Sequence, residues 1–192
     1  MKSETLILAS TSTYRAELLR RLGLGFSQEA PQVEERAEEG ETPAGMARRL
    51  ARAKAAHVAA RFPEAWVIGS DQVAALGEAI LRKPRTMEAA TEQLHRCSTQ
   101  EVVFSTAICL TRHDRIFHHL DVTRVKFREL SDAEIQRYVD RDRPLKCAGA
   151  FKAEALGIAL FERIDSVDPT GLIGLPLIAL GRLLREAGFA VP

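Results

Sequence analysis

Two short apolar runs, Leu6-Ile7-Leu8-Ala9 and Trp66-Val67-Ile68-Gly69, break off directly into polar residues, and segments at helical spacing follow or flank each of them. Apolar runs of this length read as short buried strands. Ala16 to Leu22 has helical spacing and ends at Gly23, and Thr42-Pro43 supplies a cap and first helical residue for a helix to about Arg61. Thr86 to Cys97 reads as a further helix. Gly77 predicts a turn before a strand at Ala79-Ile80-Leu81, and Glu101–Thr111 and Ile116–Phe127 read as a hairpin around His113-Asp114. Ser131 with Glu134 has capping-box spacing and opens a helix to about Arg141, stopped before Pro144. Gly157–Ile164 reads as a strand, and Pro176–Glu186 as a last amphipathic helix closed by Gly188. Strands alternating with helices around one antiparallel hairpin predict a mixed α/β sheet.

At 192 residues the chain can bury one sizeable core, so one compact unit is the default, although two lobes sharing a sheet fit the same length. With 27 basic against 26 acidic residues the net charge is +1, which gives no broad footprint for nucleic acid. No apolar run is long enough for a bilayer. The start Met1-Lys2-Ser3-Glu4 leads into an apolar stretch, Thr5 to Ala9, too short for a secretion leader. Cys97, Cys109 and Cys147 form no CxxC pair, which argues against a disulfide framework or structural zinc and for the reducing cytoplasm.

Several constellations carry chemistry. Ser10-x-Ser12-x-x-Arg15 follows a buried strand and opens a helix, where backbone N–H groups, hydroxyls and a guanidinium fork suit phosphate oxygens. The competing reading makes Ser12 a plain helix cap and Arg15 a solvated residue. Gly69-Ser70-Asp71-Gln72 is expected at a strand end, where open α/β sheets build ligand sites. A carboxylate there can hold Mg²⁺ or take a proton from water, or it can be a turn aspartate bonded to its own backbone. Lys54 and Lys83 are candidate cations, Lys83 being held extended by Pro84. Glu34-Glu35 can hold a hard cation or belong to a solvated acidic loop with Glu38, Glu39 and Glu41.

Other chemistries drop out. No G-x-x-x-x-G-K-[ST] loop and no H-E-x-x-H occurs. His113, His118 and His119 read as surface residues. Cys147, without an identifiable base, reads as a buried structural thiol.

Taken in order, Leu6 to Ser12 with Arg15, Val33-Glu34-Glu35, Lys54, Ile68 to Val73, Lys83-Pro84, Cys147-Ala148-Gly149-x-Phe151-Lys152-x-Glu154 and Gly174-Leu175-Pro176-Leu177 resemble the Maf family of nucleotide pyrophosphatases. These segments span nearly the whole chain. The resemblance is closest to the branch acting on 7-methyl-GTP, which carries Ser-Asp-Gln and Phe-Lys-x-Glu; the dTTP/UTP branch has Gln in place of Glu154. Two departures are Thr13, where many members have Pro, and Ala155, where Gly usually follows.

The resemblance implies a mixed twisted sheet with flanking helices, two lobes around a central cleft, formed by one domain spanning 1–192. It implies hydrolysis between the α and β phosphates to the monophosphate and pyrophosphate, with a divalent cation, Mg²⁺ or Mn²⁺, held by Glu34, Glu35 and Asp71. Asp71 matches the proton acceptor, and Ser10, Ser12, Arg15, Lys54 and Lys83 the phosphate-binding set. Tyr14, Gln72 and Glu154 match the positions for base choice. The chemistry agrees: N7-methylguanine is cationic, so Tyr14 can hold it by a cation–π contact, and the Glu154 carboxylate can accept from guanine's Watson–Crick edge. A small nucleotide is the implied partner, with neither nucleic acid nor membrane, in a cytoplasmic homodimer. The alternatives are a dTTP/UTP pyrophosphatase on the same scaffold, or a non-catalytic nucleotide-binding regulator of cell division.

Overall fold

The computed structural model describes residues 4–192; Met1 to Ser3, where no export leader was read, lie outside the described residues. The elements run β1 (Leu6–Ala9), α1 (Thr13–Arg20), β2 (Ser27–Gln28), α2 (Pro43–Ala59), β3 (Trp66–Leu76), β4 (Ala79–Leu81) and α3 (Met87–Cys97). Then come β5 (Glu101–Arg112), β6 (Arg115–Phe127), α4 (Asp132–Asp142), β7 (Phe161–Asp165) and α5 (Leu177–Ala187). The strand order is β2-β1-β3-β5-β6-β7, with β4 paired to β3. β1 lies parallel to both β2 and β3, whereas the β3–β4 and β6–β7 pairs are antiparallel. This is the mixed α/β sheet the alternation predicts. No helix among the described residues is long and apolar enough to cross a membrane.

Two compact units divide the chain. The first comprises the stretch through Gln72, Thr106–Asp121 and Asp168–Pro192. Leu6 and Leu8 of β1, Trp66 and Ile68 of β3, Leu18 and Leu19 of α1, and Leu180, Leu183 and Leu184 of α5 form its buried core. α5 begins at a proline N-cap with no side-chain cap of its own. Asp168 and Thr170 cap it from a distance, Asp168 Oδ2 accepting from Ile178 N–H (2.7 Å) and Thr170 Oγ1 from Leu177 N–H (2.8 Å). The second unit comprises Val73–Ser105 and Val122–Val167, with Phe104, Phe127, Phe151 and Phe161 packed edge to face.

Two expectations are corrected. β3 does not stop at Gly69 but continues through Ser70-Asp71-Gln72 to Leu76. A polar residue can sit inside a buried strand when its side chain finds a partner, and each of these three does. The strand expected over Gly157–Ile164 begins only at Phe161, because Leu156–Leu160 curls into a 3-10 turn. A short apolar run does not by itself distinguish the two conformations.

Candidate active site

Helix α2 approaches β3 closely. A Cβ built on Gly69 would lie 2.1 Å from the Ala51 carbonyl oxygen and 2.7 Å from Ala55 N, so only glycine permits the contact. The buried face of α2 carries Ala47, Leu50, Ala51, Lys54, Ala55 and Val58, the spacing of a stripe turned to the core. Lys54 is therefore 6% exposed, and its ammonium lands on Asp71, with Nζ 2.6 Å from Oδ1. The same Nζ also donates to Glu35 Oε1. Burial raises the Asp71 pKa above its ordinary 3.8 and Glu35 adds to the rise, while Lys54 and Arg15 pull it down.

Glu35 sits on the acidic loop, which is held as well as solvated. Arg49 of α2 grips Glu41 with two hydrogen bonds of 2.7 Å and donates to Arg36 O at 2.9 Å. That fork holds the Glu41 carboxyl below the usual range. Glu34 is exposed and faces Arg36 at 3.3 Å, apart from the Lys54 ammonium on which Glu35 and Asp71 meet.

At the start of α1, Ser12 is the N-cap, its Oγ accepting from Arg15 N–H at 3.3 Å. Ser12 is thus a helix cap, yet Arg15 is not a solvated residue. Its Nε donates to Gly174 O (2.9 Å) and its Nη1 to Ser10 Oγ (3.4 Å), and it lies in the fields of Asp71 and Glu35. Burial pulls its pKa below the usual value. Ser70 Oγ donates to the same Gly174 carbonyl at 3.1 Å. Gly174 has φ +123°, open to glycine and strained for other residues, so the 170–175 turn is shaped to receive both donors. Gln28 completes the frame by donating to Ser10 O at 2.9 Å.

A model of the Maf-like protein family matches residues 5–187 of the 192. The chain belongs to the Maf family. The Xanthomonas axonopodis pv. citri (strain 306) protein named 7-methyl-GTP pyrophosphatase is 57% identical over 187 residues, covering 97% of this chain and 98% of that one. Relatives with the same name are 51% identical in Aromatoleum aromaticum, over the whole of both chains, and 48% in Nitrosococcus oceani, over 97% of this chain and 95% of that one. The solved Staphylococcus aureus Ham1 protein is similar over 65% of this chain and 72% of its own, with TM-score 0.47 and 15% identity.

In this Maf chain the first unit brings together Ser10, Ser12, Arg15, Glu35, Lys54 and Asp71, while Lys83 and Glu154 belong to the second unit and are exposed. Tyr14, on the first turn of α1, is 38% exposed. Gln72 is placed differently from a free reader of bases. Its Nε2 donates to Thr106 Oγ1 (3.0 Å), Gly171 O (2.9 Å) and Leu172 O (3.0 Å), strapping the 170–175 turn to β3. Thr106 and Gly171 carried no signal in the sequence, whereas Gly174 lay within a Maf-like segment. Cys147 is half-buried, and burial together with Glu154 pushes its thiol up, away from nucleophilic use. His113 and His118 are exposed as expected, and His119 is half-buried.

The donor set fits a divalent cation in part. No group of three His, Cys, Asp or Glu side chains suited to a metal exists among the described residues. Two carboxylates, Glu35 and Asp71, do converge on one point, now filled by the Lys54 ammonium. Mg²⁺ commonly takes one or two carboxylates and completes its shell with water and substrate phosphates, so this pair suits a cation that arrives with a triphosphate.

Proposed function

We propose that the chain hydrolyses 7-methyl-GTP to 7-methyl-GMP and pyrophosphate, acting on a small nucleotide rather than on nucleic acid. The carrying observation is the buried Asp71–Lys54 pair beside Arg15, with the half-exposed Glu35 carboxylate joined to the same ammonium, in a Maf chain whose relatives bear that activity in their names.

Asp71 acts as the general base. Burial raises its pKa above that of a free carboxylate, which makes it the stronger proton acceptor. The water oxygen bonds to the α-phosphorus, its proton passes to Asp71, and the bond from the α-phosphorus to the bridging oxygen breaks as pyrophosphate leaves. Ser10, Ser12 and the Arg15 guanidinium bind the phosphate oxygens. Lys54 holds Asp71 and Glu35 in register and offers its charge to the triphosphate when the cluster rearranges; Lys83 adds a further cation. Glu35 and Asp71 would hold Mg²⁺ or Mn²⁺, which would supply neutralisation of the triphosphate charge. Tyr14 stacks on the methylated base and Glu154 accepts from its Watson–Crick edge, while Gln72 serves base choice by holding the 170–175 turn.

Product analysis tests this reading. Wild-type protein with 7-methyl-GTP and Mg²⁺ should release pyrophosphate and 7-methyl-GMP in equal amounts, and folded Asp71→Asn should lose about 10²- to 10⁴-fold in rate. Equal and negligible turnover by both proteins, with nucleotide still bound, would instead favour a non-catalytic regulator.

A further inference from the structure

Lys152, in the Phe151-Lys152-x-Glu154 segment, has no task in the mechanism above. Its ammonium is not presented as a substrate cation: the side chain is 24% exposed and turned back onto α4. Nζ donates to the main-chain carbonyl of Asp142 and lies 3.6 Å from that residue's Oδ1. Asp142 ends α4, where helical carbonyls lack partners and the dipole favours a cation. The Lys152 N–H donates to the Tyr138 hydroxyl at 3.0 Å, one turn earlier on the same helix. Tyr138 is 3% exposed.

Glu154 lies on the turn that Lys152 opens. The Lys152 carbonyl accepts from Ala155 N–H at 3.2 Å, closing a turn with Ala153 and Glu154 at its corners. A Cβ on Gly157 would lie 2.5 Å from that carbonyl, so glycine is required beneath the turn. Ala155 has φ −130°, outside the left-handed region that favours glycine. Phe151 anchors the other side, its ring 4.8 to 5.5 Å from those of Phe104, Phe127 and Phe161. Ala150 is held at φ +60°, a conformation that a residue with a Cβ keeps only where the surroundings enforce it, while Gly149 beside it takes φ +79° without that cost. Asp142 interacts with the Tyr138 hydroxyl as well, and loss of the Lys152 charge would take away the carboxylate's ion-pair partner.

We propose that Lys152 is a positioning residue for base recognition: latched to the C-terminus of α4 through Asp142 and Tyr138, it fixes the turn that presents the Glu154 carboxylate. The inference rests on the reading that Glu154 meets the base. Its test is a double-mutant cycle on the full chain, with kcat and KM measured for 7-methyl-GTP, GTP and dTTP. Tyr138→Phe keeps the buried ring and removes only the hydroxyl, so it stands in if Lys152→Met fails to fold.

Each variant should raise KM for 7-methyl-GTP about tenfold with kcat changed less than about twofold, and Lys152→Arg should recover much of the loss. Added to Glu154→Gln, neither should weaken the enzyme further. An equal loss of kcat/KM on every triphosphate would make Lys152 a phosphate cation and overturn the proposal, as would effects additive with Glu154→Gln. If wild type prefers another nucleotide, the proposed function fails, and the same cycle on that nucleotide still decides the coupling.

Discussion

Asp71 is a carboxylate whose surroundings favour its neutral form despite two cations nearby. Its folded pKa lies above the ordinary 3.8, so the native state binds this proton more tightly than the unfolded chain does. Wild-type stability therefore falls relative to a neutral isostere as pH rises through about 4 toward the folded pKa, and the difference levels off above it. The Tm of Asp71→Asn minus that of wild type should accordingly grow more positive between pH 4 and 7, as thermal melts across that range would show. Lys54→Met should act in the opposite sense. It strips a buried carboxylate of its partner, at a cost of about 3 kcal/mol. Because Lys54 lowers the Asp71 pKa, its loss raises that value further. The penalty is then full above the new pKa and relieved as pH falls through it, which denaturant titrations at pH 5 and pH 8 would separate.

Among the elements, the packing of α2 on β3 makes the site possible. Gly69→Ala drives a methyl into backbone at 2.1 Å and should cost about 3 kcal/mol in urea unfolding, with activity falling because Lys54 is pushed off Asp71. Asp168→Ala should cost about 1 to 2 kcal/mol by uncapping α5, with the substrate profile unchanged. The caps at Thr42 and Ser131 could be read from the sequence because cap chemistry spans only three residues. The length of β3 could not. The partners that make Asp71, Gln72 and Ser70 tolerable inside it lie 17, 34 and 104 residues away. For the same reason Ser12 was legible as a cap, while Arg15's bond to a carbonyl 159 residues on was not. The Glu34-Glu35 pair divides on a detail invisible in one dimension: Glu35 faces Lys54 and Glu34 faces Arg36.

For the whole molecule, a net charge of +1 conceals a local concentration of two cations, Arg15 and Lys54, and two carboxylates, Glu35 and Asp71, whose formal charges balance. The family assignment and the names of relatives covering nearly the full chain lead to one substrate class, for which Asp71 is the proposed base. The most direct measurement is initial-rate hydrolysis of 7-methyl-GTP, GTP, dTTP and UTP by the purified full chain with Mg²⁺, followed by pyrophosphate release. Highest kcat/KM on 7-methyl-GTP is the expected result, and faster turnover of dTTP or UTP would contradict it.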